Sequence, residues 1–199
     1  MVIGIVDYSV GNIGSLRNAL TYMNIPCVVK GDVDELSYCK GLILPGVGAF
    51  QPAMERLDAL DLATFLQEWA NSHRPLMGIC LGMQLLLDQS EEDGLHKGLG
   101  LIRGNVTKLQ NAPRAIHIGW NQVVPAKTSG PSFEKGYAYF VHSYVCQPTD
   151  QDAVIGKTSY GDSFVSMLQL GNIMGVQFHP EKSQEFGLAI LREFSDGCV

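Results

Sequence analysis

Gly78-Ile79-Cys80-Leu81-Gly82-Met83-Gln84 sets a single thiol between two glycines, after the apolar run Leu76–Ile79 and at the head of a second one, Gly82–Leu87. This G-x-C-x-G form is that of a nucleophile elbow, a sharp strand-to-helix turn that presents its central residue outward in a strained backbone conformation. Glycine suits both flanks because strand, turn and helix can then approach with no Cβ between them. At a helix N-terminus the aligned backbone dipoles favour the thiolate, the form of cysteine that attacks. A buried cysteine beside two packing glycines has the same local spelling. The strand before and the helix after favour the reactive reading.

A nucleophilic cysteine needs a proton acceptor, and Gln177-Phe178-His179-Pro180-Glu181 offers one at the end of an apolar strand. Extended residues two apart share a face, and Pro180 biases His179 toward extended geometry, so Glu181 is expected beside the imidazole. There it would set the tautomer and support the charged ring, completing a Cys-His-Glu triad by role. The alternative is a strand ending at Pro180 with an exposed histidine and a solvated glutamate. His73 and His96 lie in polar segments and read as surface residues, His117 reads as structural, and His142 reads either as a functional residue or, the favoured reading, as a satisfied strand histidine. An oxyanion hole would take the N–H of Leu81 and a second amide from another loop. Leu44-Pro45-Gly46-Val47-Gly48-Ala49-Phe50 qualifies, with Val47 and Gly48 as candidate donors, although a plain Pro-Gly turn is spelled the same way.

The elements that must position these groups follow from periodicity. Short apolar runs at Val2–Val6, Cys27–Val29, Gly41–Leu44 and Leu76–Ile79 alternate with helical patterns such as Ile13, Leu16, Ala19, Leu20 and Met23, or Leu62, Phe65, Leu66 and Trp69. That is the signature of parallel strands joined by crossover helices. Between Gly100 and Gln177 the texture becomes short alternating runs punctuated by Gly, Pro, Asn and Asp, which predicts antiparallel pairing. Gln184–Phe194 predicts a closing helix packed on the sheet. The fold class is therefore α/β, with a mostly parallel central sheet, flanking helices and an additional antiparallel region.

The chain has 199 residues, 46% hydrophobic and 17% charged, with no repeat, low-complexity stretch or linker, so one domain over 1–199 is expected. A formal net charge of -6 argues against nucleic-acid binding, which a clustered basic surface usually supplies. Five scattered cysteines without CxxC spacing suit a reducing compartment and predict no metal site. Val2–Val6 follows no basic leader and is too short for a membrane span, so a cytoplasmic protein is expected, with no membrane partner.

With GICLGMQ at the elbow and FHPE near the C-terminus, the sequence resembles the class I (triad) glutamine amidotransferases. Four further segments narrow the resemblance to the family of glutaminase subunits of imidazole glycerol phosphate synthase: Asp7–Asn12, Pro45–Phe50, His117–Asn121 and Tyr139–Tyr144. The resemblance implies a three-layer, flavodoxin-like amidotransferase fold. It implies that Cys80 attacks the side-chain amide of glutamine, that His179 protonates the departing ammonia and then activates water against a glutamyl thioester, and that Glu181 orients His179. Gly48, Gln84 and the Ser143-Tyr144 backbone match positions that hold glutamine, and Pro45 to Gly48 match a mobile oxyanion strand. The implied partner is a (β/α)8 cyclase subunit that uses the ammonia to make imidazole glycerol phosphate and an aminoimidazole carboxamide ribonucleotide in histidine biosynthesis. Asn12, Trp120, Asn121, Tyr139 and Lys182 match positions facing that partner. No cofactor is implied, and glutamine hydrolysis is expected to be weak until the loaded cyclase docks. Ser9 departs from the family's usual D-Y-G opening.

Rival readings remain at this stage. Another free-standing glutaminase subunit is disfavoured by PGVGAF and the HSY segment. An α/β-hydrolase-like cysteine hydrolase usually places its acid before the histidine, whereas Glu181 follows His179. A degenerate binding module would normally have lost a triad member.

Overall fold

The computed structural model describes residues 2–126 and 133–198. In the first half, β1 (Ile3–Val6), β2 (Cys27–Lys30), β3 (Gly41–Leu44) and β4 (Leu76–Ile79) alternate with α1 (Ile13–Tyr22), α2 (Val33–Ser37), α3 (Phe50–Ala59) and α4 (Leu62–Asn71). A short α5 (Leu81–Leu85) follows the elbow and leads into β5 (Leu87–Ser90), β6 (His96–Lys97) and β7 (Ile102–Lys108). Next come β8 (His117–Pro125), β9 (Gly136–His142), β10 (Tyr144–Pro148), β11 (Val154–Tyr160), β12 (Asp162–Leu170), β13 (Ile173–Val176) and α6 (Gln184–Asp196).

Among the described residues the main sheet runs β2-β1-β3-β4-β13-β12-β11-β8-β9, and a smaller one runs β10-β7-β5-β6. Strand β13 is the joint of the main sheet, parallel to β4 on one side and antiparallel to β12 on the other. The pairs β8-β9, β8-β11, β11-β12, β12-β13 and β7-β10 are antiparallel as expected for Gly100–Gln177, whereas β13 with β4 and β7 with β5 pair in parallel. The helix expected over Gly82–Leu87 also stops early, because Leu87 already belongs to β5. A fully buried run of this kind has no exposed face whose period would separate helix from strand.

The main sheet divides the core in two. Successive strand residues face opposite ways, so Leu42 and Leu44 join Phe50, Leu57, Leu66 and Trp69 from α3 and α4 in one cluster. Ile43, Met77 and Ile79 join Leu16 and Leu20 from α1 and Ile190 and Phe194 from α6 in the other. Each such leucine or isoleucine contributes about 1.5–3 kcal/mol by leaving water. Both faces of the parallel strands are thus covered, and their C-terminal ends carry the polar groups.

Candidate active site

Cys80 stands between β4 and α5 with φ 55° and ψ −111°, a left-side conformation that costs a non-glycine residue about 1–3 kcal/mol. Its N–H is fixed to the Val176 carbonyl at 2.8 Å. The glycines serve approach, as their spacing predicts. A Cβ on Gly78 would lie 2.6 Å from the Gly82 carbonyl oxygen, and one on Gly82 would overlap the Leu44 carbonyl. The end of β3 therefore presses directly on the elbow. Cys80 is 5% exposed, and its sulfur lies 3.8 Å from the Val141 carbonyl and 3.8 Å from Gln177 Nε2.

His179 reaches the same place from the end of β13, beside β4. Its Nδ1 lies 2.9 Å from Glu181 Oε1, with both side chains 3% exposed. A carboxylate accepts, so Nδ1 carries a proton and Nε2 is left for the cysteine. The face-sharing arises differently from the extended alternation expected: His179 is extended, but Pro180–Lys182 is a 3-10 turn that swings Glu181 back beneath the ring. Nε2 is buried without a hydrogen-bond partner among the described residues, and it shares the lining of one cavity with Cys80. Burial, the largest influence, pushes the His179 pKa down, but the nearby Cys80 sulfur and the hydrogen-bonded Glu181 carboxylate together outweigh it, raising the pKa to about 10.

A cavity of about 270 Å³ joins Cys80 and His179 to Val47, Gly48, Leu81, Gln84, Ser143 and Tyr144. Gly48 has φ +92° and open space around it, so glycine is required there by the backbone rather than by crowding. The cavity also holds Glu92, Ile116 and Val141, which the sequence did not assign to a site, and His142. Glu92 accepts the Phe50 N–H at 2.8 Å, and burial, the largest influence on it, holds its pKa above the usual carboxylate value. A glutamate in a polar loop gives no periodic signal, so nothing local marks it. A larger groove of about 920 Å³ along α6 holds none of the candidate reactive groups, so size alone does not locate the chemistry.

The remaining assigned residues divide. Trp120 and Tyr139 are cross-strand partners with rings 6.1 Å apart, and Lys182 Nζ lies 5.7 Å from the Tyr139 ring. With exposed Ile118, Tyr137 and Val141 they form an outward apolar face on β8 and β9. The Asn121 side chain instead turns inward, Nδ2 meeting His117 Nε2 at 3.2 Å and the Ser159 carbonyl at 2.8 Å. Asn12 is half-buried and shares a narrow void of about 10 Å³ with His179 and Glu181. His73 is exposed as expected, whereas His96 lies in β6 and is only half-exposed, its Nε2 buried. Among the described residues no cluster of three or more metal-ligating side chains occurs and no helix is long and apolar enough to cross a membrane.

A nucleophile, a base with its orienting carboxylate, and backbone amides around one polar cavity can perform acyl transfer from an amide or ester. Comparison with known proteins is specific. The family model Glutamine amidotransferase class-I matches residues 5–196. The chain is 44% identical to imidazole glycerol phosphate synthase subunit HisH of Bacillus licheniformis, over 97% of this chain and 95% of that protein. It is 43% identical to the subunit of the same name from Aquifex aeolicus, over 96% and 94%. Among solved structures, a glutamine amidotransferase superposes with a TM-score of 0.81 at 18% identity, covering 100% of this chain and 99% of that one. PurLQS from Thermotoga maritima gives 0.74 at 19%, covering 100% and 99%. These two likenesses concern the fold.

Proposed function

Because the chain belongs to the class-I glutamine amidotransferases, we propose that it is the glutaminase subunit of an imidazole glycerol phosphate synthase, residues 1–199 acting as one amidotransferase domain. The observation that carries this reading is a single cavity in which a thiol at a strained bend meets an imidazole already bonded to a buried carboxylate.

The residues then divide the work as follows. Cys80 Sγ adds to the side-chain amide carbon of glutamine, and the carbonyl oxygen becomes an oxyanion held by the Leu81 N–H and an amide of the Val47-Gly48 segment. Protonated His179 gives its proton to the amide nitrogen as the C–N bond breaks, releasing ammonia and leaving a glutamyl thioester. Neutral His179 next takes a proton from the water that attacks the thioester, and glutamate departs as the Cys80 thiolate is restored. Glu181 keeps the ring oriented and supports its charge. Gln84, Gly48 and the Ser143-Tyr144 backbone hold the substrate, and Glu92, the carboxylate of the cavity wall, faces its α-ammonium group.

The outward face of Ile118, Trp120, Tyr137 and Tyr139 is the docking surface for the (β/α)8 cyclase subunit, with Lys182 and Asn12 beside it. Relatives named as synthase subunits support a partner, and large exposed aromatics suit an interface better than a free surface. Val141 belongs both to this face and to the cavity lining, so the ammonia is formed at the partner's edge and passes to it. Five free thiols suit the reducing cytoplasm, and a net charge of -6 suits a small polar substrate and a protein partner rather than nucleic acid.

The test is glutamate release from glutamine by the purified chain, alone and with a cognate cyclase bound to its nucleotide substrate. Strong stimulation by the loaded cyclase, abolished by Cys80→Ala, is expected. No stimulation, or unchanged turnover in Cys80→Ala, would overturn the proposal.

A further inference from the structure

Two buried histidines stand beside the cavity without a part in the chemistry above. His117 and His142 are direct cross-strand partners, 2% and 6% exposed. His142 Nδ1 lies 3.0 Å from the Tyr144 carbonyl oxygen, and its Nε2 lies 3.0 Å from His117 Nδ1. A carbonyl only accepts, so the proton of His142 is on Nδ1 and its Nε2 accepts. The proton between the rings therefore belongs to His117 Nδ1, and His117 Nε2 accepts from the Asn121 amide at 3.2 Å. With both rings neutral, all four ring nitrogens are satisfied in one direction only. Stacking of His117 between Tyr160 and Phe140, with centroids at 4.0 and 4.8 Å, fixes the ring plane. An extra proton would set two N–H groups against each other, and burial pushes the pKa values down to about 4 for His117 and about 3 for His142.

The Tyr144 carbonyl takes a second donor, Gln84 Nε2 at 3.0 Å. Gln84 Nε2 also reaches Gln177 Oε1 at 3.1 Å, and Gln177 Nε2 lies 3.8 Å from the Cys80 sulfur. One carbonyl oxygen is thus the junction between the histidine pair and the groups surrounding the nucleophile.

We propose that His142, its tautomer set by His117, is a positioning residue for glutamine: it anchors the Tyr144 carbonyl and so the Ser143-Tyr144 backbone against which the substrate lies. The inference rests on reading the cavity as the glutamine site. Its placement gives it a second consequence. Ile118 and Val141, next in sequence to the two histidines, point to the opposite, exposed face, so a partner seated there presses on the strands that carry the pair.

The experiment compares His142→Asn, His142→Gln and His142→Leu in the complex with loaded cyclase, following glutamate release. Asparagine puts an amide nitrogen near the place of Nδ1, glutamine puts its amide near Nε2, and leucine has neither. Loss of one such hydrogen bond to the substrate-holding backbone is expected to raise the KM for glutamine about tenfold in the Gln and Leu variants, with kcat within about threefold of wild type. Asn should recover most of the loss. Equal KM in all three, or a fall in kcat at unchanged KM, would overturn the proposal. Nitrogen-15 NMR of the wild-type histidines tests the tautomers without any variant: both rings should be neutral and protonated at Nδ1 from about pH 5 to 8, and an Nε2-protonated His142 would overturn the proposal even if the variants fail to fold. A wild-type complex that ignores glutamine would instead sink the glutaminase reading and the substrate role with it, whatever the tautomers.

Discussion

The backbone of His179 is fastened to that of Tyr139: the His179 N–H donates to the Tyr139 carbonyl at 2.9 Å. The buried Ser183 hydroxyl doubles the link, accepting the Tyr139 N–H at 2.9 Å and donating to the His179 carbonyl at 2.6 Å. A candidate general base and a residue of the exposed aromatic face are therefore held as one unit. Ser183→Ala leaves a buried N–H and a buried carbonyl without the hydroxyl, at a cost of about 1–3 kcal/mol of stability in denaturant unfolding. Glutamate release should show kcat reduced about tenfold with KM little changed, because the ring and not the substrate site is loosened. An unaltered kcat would mean that Ser183 has no part in orienting His179.

Glycines of the site should fail in two different ways. At Gly82 an added Cβ meets the Leu44 carbonyl, which is backbone and cannot yield, so Gly82→Ala should lose upwards of about 3 kcal/mol or fail to fold. Gly48 has open space but φ +92°, so Gly48→Ala should keep its fold, at a cost of about 1–2 kcal/mol, and lose glutaminase activity as the Val47-Gly48 amides turn away. Thermal unfolding paired with glutamate release separates the two cases.

His179 carries the clearest pH signature. Its pKa of about 10 lies above the ordinary 6.5, so its contribution to stability is fully present below about 6.5 and is lost as pH rises through about 10. Because Cys80 and Glu181 supply the upward influences, Cys80→Ala and Glu181→Gln should each lower the midpoint of the His179 ring titration measured by NMR. A midpoint unmoved by Cys80→Ala would mean that sulfur and imidazole are not coupled.

What was legible in the sequence is what short-range sterics dictate. The elbow could be read because Gly78 and Gly82 are demanded by atoms within a few residues and by one neighbouring strand, and the alternating apolar runs gave the parallel half of the sheet. The meeting of Cys80 and His179 depends on β13 inserting beside β4, a pairing between distant segments that no local pattern encodes. Motif resemblance, rather than periodicity, supplied it. Extended alternation places Glu181 beside His179 for the wrong geometric reason, since a 3-10 turn and not an extended strand brings it there. Glu92, and the pairing of His117 with His142, are not legible because they lie in contacts across the fold: an isolated glutamate in a loop looks the same whether or not it meets a cavity, and His142, open to a functional reading from its neighbours, gives no sign of its bond to His117.

Partner docking can be tested without touching the cavity. Trp120 is 49% exposed and Ile118 59%, so replacing them removes little from the core. Trp120→Ala should leave unfolding nearly unchanged, within about 0.5 kcal/mol, but weaken cyclase binding by about 2 kcal/mol or more in calorimetric titration, as for a buried aromatic anchor. Stimulation of glutamate release should fall in parallel. Tight binding and full stimulation in both Trp120→Ala and Ile118→Glu would move the interface elsewhere.

Substrate discrimination should depend on Glu92. One of its oxygens is occupied by the Phe50 N–H at 2.8 Å, and burial disfavours its charge, so a cation in the cavity gains more from it than from a solvated carboxylate. The α-ammonium of glutamine is such a cation. Glu92→Gln keeps the shape and an oxygen for Phe50 but removes the charge, and should raise the KM for glutamine about tenfold to a hundredfold, as for loss of one partner of a desolvated ion pair. An analogue lacking the α-amino group supplies the control, since wild type should discriminate strongly against it and Glu92→Gln should not. Acidification should mimic the substitution, because protonating Glu92 removes the same charge, and its raised pKa brings that loss to a higher pH than a solvated glutamate would. Equal losses of glutamine and of the analogue in Glu92→Gln would assign the effect to the loop around Phe50 rather than to recognition of the ammonium group.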